Sequence, residues 1–145
     1  MMRISCKVEY GIRALLDLAL HGRRGPILSR DTAQRQGIPE TYLNQLLLQL
    51  RRGGLVASVR GPRGGHLLAR PADEITMLDV VEALEGPLVV VPEGLPAPMS
   101  AETDAILSEL WDDLRATMRE HLSQITLQQL CERAQLQTGE LMYEI

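Results

Sequence analysis

Between two short strand-like runs, residues 55–60 and 66–70, lies the pentapeptide Gly61-Pro62-Arg63-Gly64-Gly65. A glycine-rich connection of this length returns the chain on itself, so the two runs read as one antiparallel hairpin with a five-residue tip. Everything before the hairpin has helical spacing. Val8, Ile12, Leu15 and Ala19, widened by Tyr10, Ala14 and Leu18, predict a helix over 7–20 that Gly22 ends. After the turn Arg23-Arg24-Gly25-Pro26, Ser29 is the expected N-cap of a helix running to Gln36 and stopped by Gly37. Pro39 suits the first position of a third helix, which carries Leu43, Leu46, Leu47 and Leu50 to Gly53-Gly54. Two helices joined by so short a turn form a helix-turn-helix, and with the hairpin behind it the arrangement is a winged helix.

The rest of the chain is expected to be helical as well. Thr76-Met77-Leu78-Asp79 has the capping-box form before Val80, Val81, Ala83 and Leu84, with a stop at Gly86-Pro87. Pro92, Pro96 and Pro98 mark an irregular stretch. A long helix over 101–124 carries Leu107, Trp111, Leu114, Met118, Leu122 and Ile125 at three- and four-residue steps, a stripe too apolar for a lone surface helix. Thr126 is a candidate cap for a shorter helix over 127–135. The expected division is therefore a winged-helix domain over 1–86, a linker over 87–100, a dimerisation helix and short following helix over 101–135, and a loosely held tail over 136–145. Composition agrees with a mainly α fold bearing a small β-hairpin wing: 25 Leu against no Phe, one Trp and three Tyr favour helices over sheets.

The formal net charge of −4 conceals a division. Residues 1–70 hold 12 Lys/Arg and 4 Asp/Glu, a net of +8, whereas residues 71–145 hold 3 and 15, a net of −12. The first half makes a field suited to phosphate, and the second repels it. No run reaches the ~18 apolar residues of a membrane helix and the first residues lack an apolar signal segment, so a cytoplasmic protein without membrane contact is expected. Two cysteines, Cys6 and Cys131, make neither a disulfide framework nor a metal-ligand spacing. No nucleophile–base pair, carboxylate pair or metal set is visible, so neither catalytic nor metal-binding residues are assigned.

Double-stranded DNA is the partner this pattern predicts. In a helix-turn-helix the start of the second motif helix faces base edges, which here places Thr41, Tyr42, Asn44 and Gln45 at the groove. Asn and Gln pair bidentately with adenine, and hydroxyls reach bases or phosphates. Arg51 and Arg52 at the end of that helix are expected on the phosphate backbone, although they also offset the helix dipole. Arg60 and Arg63 on the hairpin are expected in a minor groove or on phosphates.

These residues carry a resemblance. Residues 3–20 and 36–55, the phrase Ser58-Val59-Arg60-Gly61-Pro62-Arg63-Gly64-Gly65, Ala69-Arg70-Pro71, Glu85-Gly86-Pro87 and Ser123-Gln124-Ile125-Thr126-Leu127 together resemble the IscR/NsrR/CymR family of bacterial winged-helix transcription regulators, over nearly the whole chain. The resemblance implies a homodimer paired through the long helix on a two-fold symmetric operator, and the leading reading of the chain as a whole is a repressor. It also implies base reading by Thr41, Asn44 and Gln45 and a wing arginine at Arg60. Asn44 departs from the glutamate of IscR itself, which bears on the operator sequence. A competing reading keeps the scaffold as an interaction module controlled by a protein partner, with DNA binding weak or lost. Many members hold an iron-sulfur cluster through three cysteines between the Glu-Gly-Pro turn and the long helix. Residues 88–103 of this chain contain none, so no such cofactor is expected. Glu9, at a position where some relatives complete the coordination, is expected to be a surface or ion-pairing residue, and Cys6 a small buried or capping residue. Control is left to a small-molecule or protein effector near the linker, or to the Cys6 thiol.

Overall fold

The computed structural model describes residues 4–90 and 100–138. Pro92, Pro96 and Pro98 of the linker and residues 139–145 of the tail lie outside the described residues. Helix α1 (Cys6–His21) is capped by Ser5, whose hydroxyl accepts from the Val8 amide. It is followed by α2 (Ser29–Gln36) and α3 (Glu40–Arg52), then by strands β1 (Val56–Val59) and β2 (Gly65–Leu68). Helices α4 (Met77–Glu85), α5 (Ala101–Gln124) and α6 (Leu127–Thr138) complete the chain. The two strands pair antiparallel with Val56 opposite Leu68 and Val59 opposite Gly65, so the tip is Arg60 to Gly64, one residue earlier than the sequence predicts. The architecture is mainly α with a two-stranded wing.

One apolar core joins these elements. Leu15 and Leu18 of α1, Leu43, Leu46, Leu47 and Leu50 of α3, and Val80 and Leu84 of α4 are buried together. Leu127 and Cys131 of α6 lie in the same cluster, so α6 returns across the expected domain division to pack on the winged helix. A backbone bridge fixes that return: the Met77 amide donates to Ile125 O at 2.9 Å and the Leu127 amide to Ile75 O at 2.8 Å. Each bridging segment then starts a helix at a capped threonine. Thr76 and Asp79 satisfy each other's amides, as expected, and Thr126, the expected cap, does the same with Gln129.

Two caps differ from expectation. Leu28, not Ser29, is the N-cap of α2, without a side-chain bond. The reason is the preceding residue: Ile27 is bridged to His66 of the wing, which leaves the chain extended at Leu28 and free to turn helical only at Ser29. Pro39 likewise caps α3 from outside, with ψ at 129°, and Glu40 is the first helical residue.

A polar clamp absent from the sequence reading sets α2 against α1. Asp17 is fully buried in the middle of α1. Arg35 of α2 grips it through Nε at 2.8 Å and Nη2 at 2.9 Å, Thr32 Oγ1 donates to it at 2.8 Å, and Gln36 Nε2 donates at 3.3 Å. Burial alone would raise the Asp17 pKa, but these bonds and the Arg35 charge outweigh it and hold the carboxyl below its ordinary value. Fixing α2 in this way fixes the turn at Gly37 and hence the angle at which α3 leaves the core.

Candidate nucleic-acid interface

Burial of Leu43, Leu46, Leu47 and Leu50 against the core leaves the opposite side of α3 to solvent. Thr41, Asn44, Gln45, Leu48, Arg51 and Arg52 are all exposed there, at three- and four-residue steps along a single face. Tyr42 does not join them. Its ring is half-buried and meets Tyr10 of α1 edge-on, with centroids 5.7 Å apart, so the ring packs α3 onto α1 instead of standing on the free face.

The exposed face of α3 is continuous with the wing. Arg51 Nη1 donates to Ser58 Oγ of β1 at 3.4 Å, and that hydroxyl lies 3.2 Å from His66 Nδ1 of β2. His66 is held down in pKa by burial and by the nearby Arg51 charge, so its neutral ring is the form that fits here. Its backbone makes the bridge to Ile27, with bonds of 2.9 and 2.7 Å. His66 therefore braces the wing against the segment that leads into α2. At the tip, Gly64 donates to Gly61 O at 2.9 Å, and a Cβ on Gly64 would lie 2.2 Å from Val59 O. Only glycine closes this turn, which leaves Arg60 just before it and Arg63 within it exposed.

Carboxylate pairing divides the arginines into two sets. Arg13 pairs with Glu9, Arg35 with Asp17, Arg70 with Asp79 and Arg119 with Glu82. Among the described residues, Arg51, Arg52, Arg60 and Arg63 have no carboxylate partner, and neither do Arg23, Arg24, Arg30, Arg115 and Arg133; only the first four belong to α3 and the wing. Four cations held on one side of the fold without internal neutralisation are suited to an anionic polymer. Of the dimerisation residues expected from sequence, Leu107 is exposed and Trp111, Leu114 and Met118 are half-exposed, whereas Leu122 and Ile125 pack on this chain's own core. Ile125 lies just past the end of α5. The sequence reading missed Ile106 and Leu110, which flank the stripe at 67% and 51% exposure. Their spacing relative to Leu114 carried the signal.

A helix-turn-helix whose second helix shows a polar face, followed by a glycine-closed basic hairpin, defines a winged-helix DNA-binding protein. Comparison with known proteins gives the same answer at finer grain. The Rrf2 family, described as an iron-dependent transcriptional regulator, matches residues 4–133. The HTH-type transcriptional regulator IscR of Erwinia tasmaniensis is similar at 38% identity over 136 residues, spanning 93% of this chain and 82% of that one. The structure of CymR, the global cysteine regulator of B. subtilis, superposes with a TM-score of 0.76 at 34% identity, covering 92% of this chain and 98% of its own. IscR of T. potens superposes with a TM-score of 0.74 at 36% identity, covering 92% and 88% respectively. The chain belongs to the Rrf2 family. It is a DNA-binding transcriptional regulator and not an enzyme.

Proposed function

We propose that the protein is a cytoplasmic homodimeric repressor that lays α3 of each protomer into successive major grooves of a two-fold symmetric operator. The observation that carries this reading is the continuous exposed face from Thr41 to Arg52, tied to the wing by the Arg51–Ser58–His66 contacts. Thr41, Asn44 and Gln45 read base edges, Arg51 and Arg52 hold phosphates, and Arg60 and Arg63 grip the flanking minor groove or backbone. No helix among the described residues is long and apolar enough to cross a membrane.

The family's description implies iron, and the residues of this chain do not fit a conventional iron-sulfur cluster. Such clusters need thiolates, and residues 87–100 have no cysteine. Cys131 is buried in the core, where burial and Glu132 push its thiol pKa up, away from the ligating form. Cys6 is exposed at the first position of α1, contrary to its expected buried or capping role, which Ser5 fills. Glu9 is engaged on the surface with Arg13 at 3.2 Å. Among the described residues no three His, Cys, Asp or Glu side chains gather as a metal set. Control then falls to a small molecule, a partner protein or the exposed Cys6 thiol, and the bond from Arg115 Nε to Leu88 O at 2.7 Å offers a link from the linker into α5.

The test is binding to genomic promoter fragments across a salt series. Specific, salt-dependent retention is expected, with Arg60→Ala weakening all sequences together and reducing the salt slope by about 1. Unchanged affinity in Arg60→Ala would favour the interaction-module alternative, and absence of salt-dependent binding would overturn the DNA reading. Protein purified without oxygen is expected to be colourless, and a cluster absorbance band would overturn the cofactor reading.

A further inference from the structure

Leu48 is the one large aliphatic side chain on the reading face of α3, and it remains 37% exposed. An isolated exposed leucine elsewhere on a protein carries no message. This one stands at the fourth place of the series Thr41, Asn44, Gln45, Leu48, whose spacing i, i+3, i+4, i+7 is that of a helix reading a major groove along a single stripe. One turn further on come Arg51 and Arg52. Leu48 is thus enclosed between polar base-reading positions and phosphate-binding cations, where docking would strip its water whatever the sequence.

Leu48 and Gln45 also line a recess of about 210 Å³ that runs in toward Leu46 and Tyr42, beside Lys7 of α1. The recess leaves the leucine methyls open to an incoming group. Base edges in the major groove offer donors and acceptors at nearly every position. The only apolar group among them is the 5-methyl of thymine. A desolvated leucine set against any other base edge leaves a polar group unpaired, which is a penalty against the wrong sequence as well as a gain for the right one.

Resting on the DNA-reading orientation proposed above, we infer that Leu48 is a specificity-determining residue that reads the 5-methyl group of one thymine in each half-site. A rise of 1.5 Å per residue places it about 10 Å along the helix from Thr41, or roughly three base-pair steps. It therefore reads a different base pair from the one that Thr41 addresses.

The experiment removes one methyl group at a time. Duplexes are selected by the wild-type protein from a random pool, and each thymine of a selected duplex is replaced by uracil in both half-sites. Affinities are then measured by fluorescence anisotropy for the wild type, Leu48→Ala and Leu48→Met. The wild type is expected to lose about fourfold per half-site at one symmetric thymine, the worth of one buried methyl-sized group. Leu48→Ala is expected to lose that sensitivity at that position alone, with its salt slope and circular dichroism unchanged, while Leu48→Met retains part of it. The inference is overturned if Leu48→Ala keeps the wild-type uracil profile, or if the wild type is indifferent to every uracil. Failure to select any duplex overturns the sequence-reading function itself, and with it this inference.

Discussion

Asp17 shows how much a single residue decides in this fold. A carboxylate with no exposed surface is tolerable only when its lone pairs are occupied, and Arg35, Thr32 and Gln36 occupy them. Removing Arg35 leaves the carboxylate buried without its countercharge. Arg35→Ala is expected to destabilise the protein by about 3 kcal/mol, the low end for a broken buried pair because 39% of the Arg35 side chain meets water. Urea denaturation measures it, and a loss below about 1 kcal/mol would mean that the clamp is dispensable. The pH dependence follows from the direction of the shift. With the folded pKa held below the ordinary 3.8, the stabilisation is complete well above that pH and is lost as pH falls through 3.8 toward the folded value. Asp17→Asn should therefore flatten the acid limb of a stability–pH profile while leaving its neutral region parallel to wild type. None of this was legible in the sequence: an aspartate inside an apolar stripe has no visible partner until folding brings residues 15 to 19 positions away beside it. The packing of Tyr42 was illegible for a related reason. Its neighbours at 41, 44 and 45 face outward, but one step around the helix turns its ring onto Tyr10.

At the scale of elements, helices were the readable part and the joints between them were not. Apolar periodicity and the Thr76 capping box located α1, α3, α4 and α5 to within a residue or two, because those signals are local. The start of α2 shifted because it is set by a non-local bridge from Ile27 to His66, and the return of α6 depends on a bridge between residues about fifty positions apart. The wing shows what such joints require of the sequence. Gly65 has φ of +153°, and a Cβ there would sit 2.5 Å from Ile27 O and 2.6 Å from its carbonyl carbon. Gly65→Ala is expected to cost about 1–3 kcal/mol from conformation alone and, by forcing the wing off Ile27, to make the salt slope of DNA binding shallower by about two as Arg60 and Arg63 lose their phosphates. Gly37 is the matched control: it is left-handed at φ of +66° with open space around it, so Gly37→Asn should keep wild-type DNA affinity. Equal loss in both variants would show that backbone conformation, not the Ile27 contact, governs the wing.

Across the whole molecule, charge and apolar surface divide along the same line. The half proposed to read DNA carries +8 and the half that holds α5 carries −12, so docking in that orientation would minimise repulsion by keeping α5 away from the phosphates. Helix α5 is about 36 Å long and has no buried residue in the single chain. Its C-terminal end is anchored through Leu122 on the core and through the Arg119–Glu82 ion pair to α4. Its N-terminal end instead displays Ile106, Leu107 and Leu110 at 67%, 43% and 51% exposure, next to half-exposed Trp111 and Leu114. An apolar cluster on a helix anchored at its other end to the winged-helix core is what a two-fold partner would cover, and that anchor would carry the geometry of pairing to the spacing of the two α3 helices. With the wild type expected to sediment at twice the 16.1 kDa chain mass, the double variant Leu107→Glu/Leu110→Glu is expected to sediment as a single chain. Because neither side chain touches the core, its thermal melting as a monomer should remain cooperative and its affinity for an isolated half-site should match wild type. Affinity for the full symmetric site should fall at least 100-fold, since the second head no longer binds at the effective concentration set by the first. A variant that stays dimeric would move the interface elsewhere, and a monomer that keeps full-site affinity would show that pairing on DNA does not depend on α5.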